Sequence, residues 1–168
     1  MGQEFLMCKR IETNLASLFG LIEEKLTSGG EVGFSPNGIS MLPLIKPGCD
    51  RITLKRNEKN IQKYDIAFYK RPDGKFVLHR IIKKCSDGSF VMCGDNQFVL
   101  ERNVSPEWVI AVVSKLEKNG KTVDFGGIGY KIYCRHLVLR RLYLRYKQRG
   151  FVPRAFRKFK RILKNKQR

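Results

Sequence analysis

The chain has 168 residues, 42% of them apolar, which is enough for one substantial core and short for two. Its formal charge of +19 is unevenly spread: Lys131 to Arg168 hold fifteen Lys/Arg and no Asp/Glu, and taking these from totals of 34 and 15 leaves 19 basic against 15 acidic residues before them. A nearly neutral body with a strongly basic tail points to an appendage for anionic surfaces and says little about the fold.

Five cysteines (Cys8, Cys49, Cys85, Cys93, Cys134) are scattered, with no Cys-x-x-Cys and only two histidines, so neither a zinc site nor a disulfide framework is indicated. No apolar run approaches the ~20 residues of a membrane-spanning helix, and the first residues lack a basic segment followed by an apolar one. These features lead us to expect a reduced, intracellular protein that needs no cofactor, cytoplasmic or peripheral at the inner membrane face.

From Glu4 to Leu26, Leu15, Leu18, Phe19, Ile22 and Leu26 recur at helical spacing, which predicts an amphipathic helix stopped by Thr27-Ser28-Gly29-Gly30. A double glycine after such a helix also resembles the leader of a secreted peptide precursor, but a helix cap explains the same letters. Strands are expected at Glu31–Ser35 and Arg51–Arg56. Tyr64–Arg71 and Lys75–Lys84 flank Pro72-Asp73-Gly74, whose glycine suits a positive φ, so these two runs are predicted to pair as an antiparallel hairpin. Further strands follow at Phe90–Cys93 and Trp108–Leu116, with a short one at Thr122–Phe125. The expected fold is mostly β: a small coiled antiparallel sheet or partly closed barrel over 31–127, preceded by the helical segment 1–30. After Gly126-Gly127 the composition changes. Two basic amphipathic helices are expected over 128–168, the first with Ile132, Leu139, Leu142, Tyr143 and Tyr146 as its apolar stripe, the second after Pro153 with Phe156, Phe159, Ile162 and Leu163.

Chemistry is concentrated in a few short blocks. Gly38-Ile39-Ser40-Met41-Leu42-Pro43 follows an apolar run and places a serine between a flexible residue and a proline that cannot continue a ladder, which presents Ser40 at a sheet end. His79 lies in a predicted strand, and Gly94-Asp95-Asn96 breaks another. Taken singly, these are a turn serine, a structural histidine and a turn. In their order, Gly-x-Ser-Met-x-Pro, Tyr-Asp-Ile-x-x-Tyr, Leu-His-Arg-Ile and Gly-Asp-Asn resemble the signal peptidase I and LexA-type peptidase superfamily, the S24/S26 serine peptidases, over roughly Glu31 to Leu116. With His79 where most bacterial members have lysine, the likeness is to the Ser-His branch.

The resemblance implies a serine endopeptidase with Ser40 as nucleophile and His79 as base. A histidine with an ordinary pKa of about 6.5 can accept the serine proton near neutrality without the desolvation a lysine needs. The branch takes its orienting acid from positions that correspond to Asp95 and Glu101, the latter an aspartate in the branch, so both stand as candidates. Gly38 replaces a serine that supports the oxyanion in many members, which leaves that role chiefly to backbone N–H groups such as that of Ser40. Gly48-Cys49-Asp50 is one residue longer than the family's Gly-Asp. About thirty residues precede the first expected strand, so neither the membrane anchor nor the DNA-binding domain of these families is expected here. The expected partner is an extended peptide or protein segment lying along an exposed sheet edge, for which Glu31–Ser35 is a candidate. The alternative is an inactive peptidase-like module that binds peptide, an anionic membrane surface or nucleic acid. For the tail, with Arg135, Arg140, Arg141, Arg145, Arg157, Lys158 and Arg161 as its anion-facing residues, a membrane surface is expected ahead of nucleic acid, because no reader motif accompanies the charge.

Overall fold

The run Ile66-Ala67-Phe68-Tyr69 has no polar face, and it makes the first four residues of a strand, all of them buried. In the computed structural model, residues 15–56 and 61–148 are described. They comprise helix α1 (Leu15–Thr27), strands β1 (Glu31–Phe34), β2 (Arg51–Lys55), β3 (Ile66–Lys70), β4 (Phe76–Lys84), β5 (Phe90–Cys93), β6 (Glu101–Val104), β7 (Val109–Lys118) and β8 (Lys121–Thr122), and helix α2 (Ile128–Gln148). The chain divides between Phe125 and Gly126 into two compact units.

The strands make one antiparallel sheet in the order β1-β2-β7-β3-β4-β5-β6, with β8 folded back on β7. The order has two ends, so the sheet is open and not a closed barrel. Because successive side chains alternate across a strand, β3 feeds two cores. Ile66 and Phe68 join Leu26 of α1 with Ile52, Leu54, Ala111, Val113 and Leu116 on one face. Ala67 and Tyr69 join Ile81, Phe90, Met92, Val104 and Val112 on the other. Phe68 is central to the first, its ring 6.2 Å from Phe34 and 5.7 Å from Phe76.

The predicted hairpin is present: β3 and β4 pair from Ile66↔Arg80 to Lys70↔Phe76 around a turn in which Gly74 has φ +82°. The strand starts later than Tyr64, because that residue has φ +80° and its carbonyl accepts from the Arg80 guanidinium at 2.8 Å. β6 was not expected. It is a short, polar strand paired with β5 and ending the strand order, so it lacks the apolar alternation that marks a strand in sequence. Trp108 falls in a 3-10 turn, Pro106–Trp108, ahead of β7, and β8 is limited to Lys121–Thr122. The expected helix start at Glu4 and the second tail helix after Pro153 lie outside the described residues. Among the described residues, no helix is long and apolar enough to cross a membrane.

With its ring held between Phe34 and Phe76, Phe68→Ala should cost about 3–5 kcal/mol in urea unfolding; a loss below about 1 kcal/mol would contradict the packing described.

Candidate active site

The serine turn is anchored through the residues that follow it. Met41 and Ile45 are buried in the core beneath α1, and the Ile45 N–H bonds the Met41 carbonyl at 3.0 Å. Burying two such side chains stabilises the turn by about 1.5–3 kcal/mol each. Further along, buried Asp50 accepts the Lys46 N–H at 2.8 Å and pairs with Lys118 of β7 at 3.3 Å. The same ammonium donates to the Pro43 carbonyl at 3.2 Å and to that of Leu44. The aspartate of the longer Gly48-Cys49-Asp50 segment thus serves the structure, clasping the serine loop to the end of β7.

On its other side the loop rests on the Gly94-Asp95-Asn96 turn. The Asn96 N–H donates to the Ser40 carbonyl at 2.8 Å, and the Asn96 side-chain amide to the Ile39 carbonyl at 3.3 Å. A Cβ on Gly94 would stand 2.6 Å from the Ser40 carbonyl oxygen and 3.1 Å from the Ser40 Cβ, so only glycine permits this approach. The β4–β5 register pairs Ile81 with Met92 and Arg80 with Cys93. β5 ends at Cys93, so Gly94, on which Ser40 packs, directly follows the residue that pairs with Arg80, the neighbour of His79 on β4. Among the described residues, no hydrogen bond joins the Ser40 hydroxyl to His79, and the Ser40 N–H has no acceptor.

His79 is buried, and its Nδ1 lies 2.9 Å from Glu101 Oε1 and 3.2 Å from the Tyr69 hydroxyl. That hydroxyl donates its proton to Glu101 Oε2 at 2.8 Å. The hydrogen shared by His79 with the pair must then sit on Nδ1, which leaves the lone pair on Nε2. Arg71 completes the arrangement, donating through Nε to Glu101 Oε2 at 2.8 Å and through a second nitrogen to Oε1. Burial pushes the Glu101 carboxyl up, but the hydrogen bonds from Arg71 and Tyr69 and the charges of His79 and Arg71 outweigh it and hold the group below its usual range. Burial likewise pushes the Tyr69 phenol up, reinforced by Glu101, so it stays a donor. For His79, burial is the largest influence and lowers its pKa below 6.5; the Glu101 carboxylate opposes this and the Arg71 charge adds to it.

Of the two candidate acids, Glu101 holds the imidazole. Asp95 does not take that place: it is buried in a two-pronged pair with Arg80, at 2.8 and 2.7 Å. Neighbours alternate along a strand, so Arg80 is on the opposite face of β4 from His79, and Asp95, in the turn after β5, closes on Arg80 rather than on the imidazole. Gly38 is exposed with open space around it, so packing does not demand glycine there. Tyr69 and Asn96 stood in the quoted blocks without an assigned role, and Arg71 and Lys118 were not singled out in the sequence. Alternation offered one signal, since Tyr69 closes the Tyr-Asp-Ile-x-x-Tyr block and Arg71 follows at the same parity.

Of the tail residues, Arg135 and Arg140 are exposed on α2, whereas Arg141 is buried and is thereby removed from the expected anion-facing set. The Arg145 side chain and Arg157, Lys158 and Arg161 lie outside the described residues. Among the described residues, no group of three or more His, Cys, Asp or Glu is placed to hold a metal. No family model, curated protein or solved structure matches the chain.

Two variants should move the His79 titration, followed by NMR of the imidazole, in opposite directions. Glu101→Gln removes the charge that favours imidazolium and should lower the pKa further, whereas Arg71→Met removes a repelling cation and should raise it. Because the folded pKa lies below the ordinary 6.5, the contribution of His79 to stability is complete above pH 6.5 and declines as pH falls toward the folded value. Asp95→Asn should act instead on stability, by about 3–5 kcal/mol, since it leaves the Arg80 charge buried without its partner. A large shift of the His79 titration in Asp95→Asn with unchanged stability would reverse the two assignments.

Proposed function

We propose that the chain is a serine endopeptidase resembling the Ser-His branch of the S24/S26 peptidases, with Ser40 as nucleophile, His79 as general base and Glu101 as the orienting acid. The observation that carries this reading is a buried imidazole fixed through Nδ1 by a carboxylate, on the strand that pairs with β5, which ends one residue before the glycine on which Ser40 packs. An open antiparallel sheet with a single helix in front of it is compatible with the fold of that superfamily.

In this reading the substrate carbonyl closes on the loop, the Ser40 hydroxyl bonds to Nε2 and attacks, and His79 takes its proton. Such bonds between base and nucleophile often tighten only when substrate is present. The imidazolium is stabilised by Glu101 through Nδ1–H and then returns the proton to the leaving amine, giving an acyl-enzyme that water hydrolyses by the same route. The Ser40 N–H, with no acceptor among the described residues, is the donor available to the oxyanion; one such donor contributes about 2.7–4 kcal/mol to the barrier. β1 stands at one end of the strand order and runs directly into the serine loop. An extended substrate could add to that edge by main-chain hydrogen bonds and lead its scissile bond to Ser40.

The test uses full-length protein, a fluorophosphonate that labels activated serines, and an unfolded protein such as reduced casein as reporter. Wild type should be labelled at Ser40, and Ser40→Ala and His79→Ala should lose labelling and about 10³-fold or more in kcat/KM. Gly94→Ala should depress kcat more than KM, because a Cβ there displaces the nucleophile rather than the substrate edge. Wild-type turnover by Ser40→Ala, or a wild type that binds peptide but neither labels nor cleaves, would leave the non-catalytic peptide-binding module as the reading.

A further inference from the structure

We infer that the face of α2 carrying Ile128, Ile132 and Leu139 is a docking surface for an anionic lipid bilayer. Among the described residues, these three belong to the few large apolar side chains left in solvent, at 77%, 60% and 64% exposure. At about 100° per residue they fall within an arc of about 40° on the helix. Scattered exposed apolar residues need no explanation; a line of aliphatic residues along one helix face does.

Charge identifies the occupant. Arg135 lies about 20° outside one edge of that arc, with Lys131 about 60° from the same edge, and His136 about 40° beyond the other. No Asp or Glu occurs in α2, nor anywhere from Lys131 to Arg168. A helix resting in the headgroup layer meets both requirements at once: the aliphatic side chains enter the acyl boundary while the long cationic stems carry their charges back to the phosphates. Nucleic acid would use the cations and leave the three aliphatic side chains in water. The helix lies on the bilayer and does not cross it, because its 21 residues hold no apolar stretch able to span one.

The experiment is co-sedimentation of the full chain with vesicles of phosphatidylcholine alone or mixed with phosphatidylglycerol, at low and high sodium chloride. Its readout is independent of Ser40, so it stands or falls apart from the peptidase reading. Wild type should bind the anionic vesicles and remain partly bound in high salt, because apolar insertion is not screened. Ile132→Ser/Leu139→Ser should lose partitioning at high salt by about tenfold while keeping low-salt binding. Lys131→Gln/Arg135→Gln should do the reverse, weakening low-salt binding. Both pairs are exposed, and an unchanged far-ultraviolet circular dichroism spectrum checks the helix. The inference is overturned if wild type ignores anionic vesicles at low salt, if the serine variant is retained in high salt as well as wild type, or if the chain holds duplex RNA with a steep salt dependence in preference to vesicles.

Discussion

Two segments that fold for separate reasons meet at Gly94, and how closely they can meet sets the rest of the site. The sheet holds Tyr69, His79 and Glu101 in place through its ladders, whatever the serine loop does. The loop is held by Met41 and Ile45 in the core, by Lys118 and Asp50 at its far end, and by Asn96 at Ser40 itself. A side chain at position 94 would stand 2.6 Å from the Ser40 carbonyl oxygen, so the loop would have to retreat. Displacements near 1 Å can cost about 10²-fold in a reaction that depends on alignment. The many small restraints on the loop make sense as protection of that one approach.

Strand alternation distributes the remaining roles. Adjacent residues of the Leu-His-Arg block serve opposite faces of β4: His79 belongs with Tyr69 and Glu101, while Arg80 closes on Asp95 of the following turn with neither exposed to solvent. A buried ion pair of this kind adds little net stability compared with an apolar pair of the same shape. Its geometry, two parallel bonds between a planar fork and a carboxylate, ties the middle of β4 to the turn after β5. That turn carries both Gly94 and Asn96, the two residues on which the serine loop rests.

Much of this was legible in the sequence, for identifiable reasons. The hairpin announces itself through Pro72-Asp73-Gly74 between two apolar runs, and Leu26 and Ile22 mark the face by which α1 meets the core. The serine, the histidine and two candidate acids could be placed in order. Which acid reaches the imidazole could not, because that depends on the parity of residues around a break and on a strand, β6, whose polar residues do not advertise it. The role of Tyr69, which stood in a quoted block, and Arg71 altogether escaped notice for a related cause: they lie 32 and 30 residues from the carboxylate they hold, and no local pattern reports a contact of that range.

The strand order also constrains how the chain assembles. β3 and β4 close a short hairpin, with Tyr69 and His79 only 10 residues apart, and β5 and β6 extend it by neighbouring turns. β7 is different: it slots between β2 and β3, bringing Ser114 to Thr53 across 61 residues. Loop-closure entropy favours the near pairings first, so insertion of β7 comes late. Lys118, at the end of that strand, is the cation that clasps the serine loop. Tyr69, His79 and Glu101 can therefore be in register while the Ser40 loop is still loose, and a chain caught partway through folding holds the imidazole on its carboxylate before the serine turn is fixed.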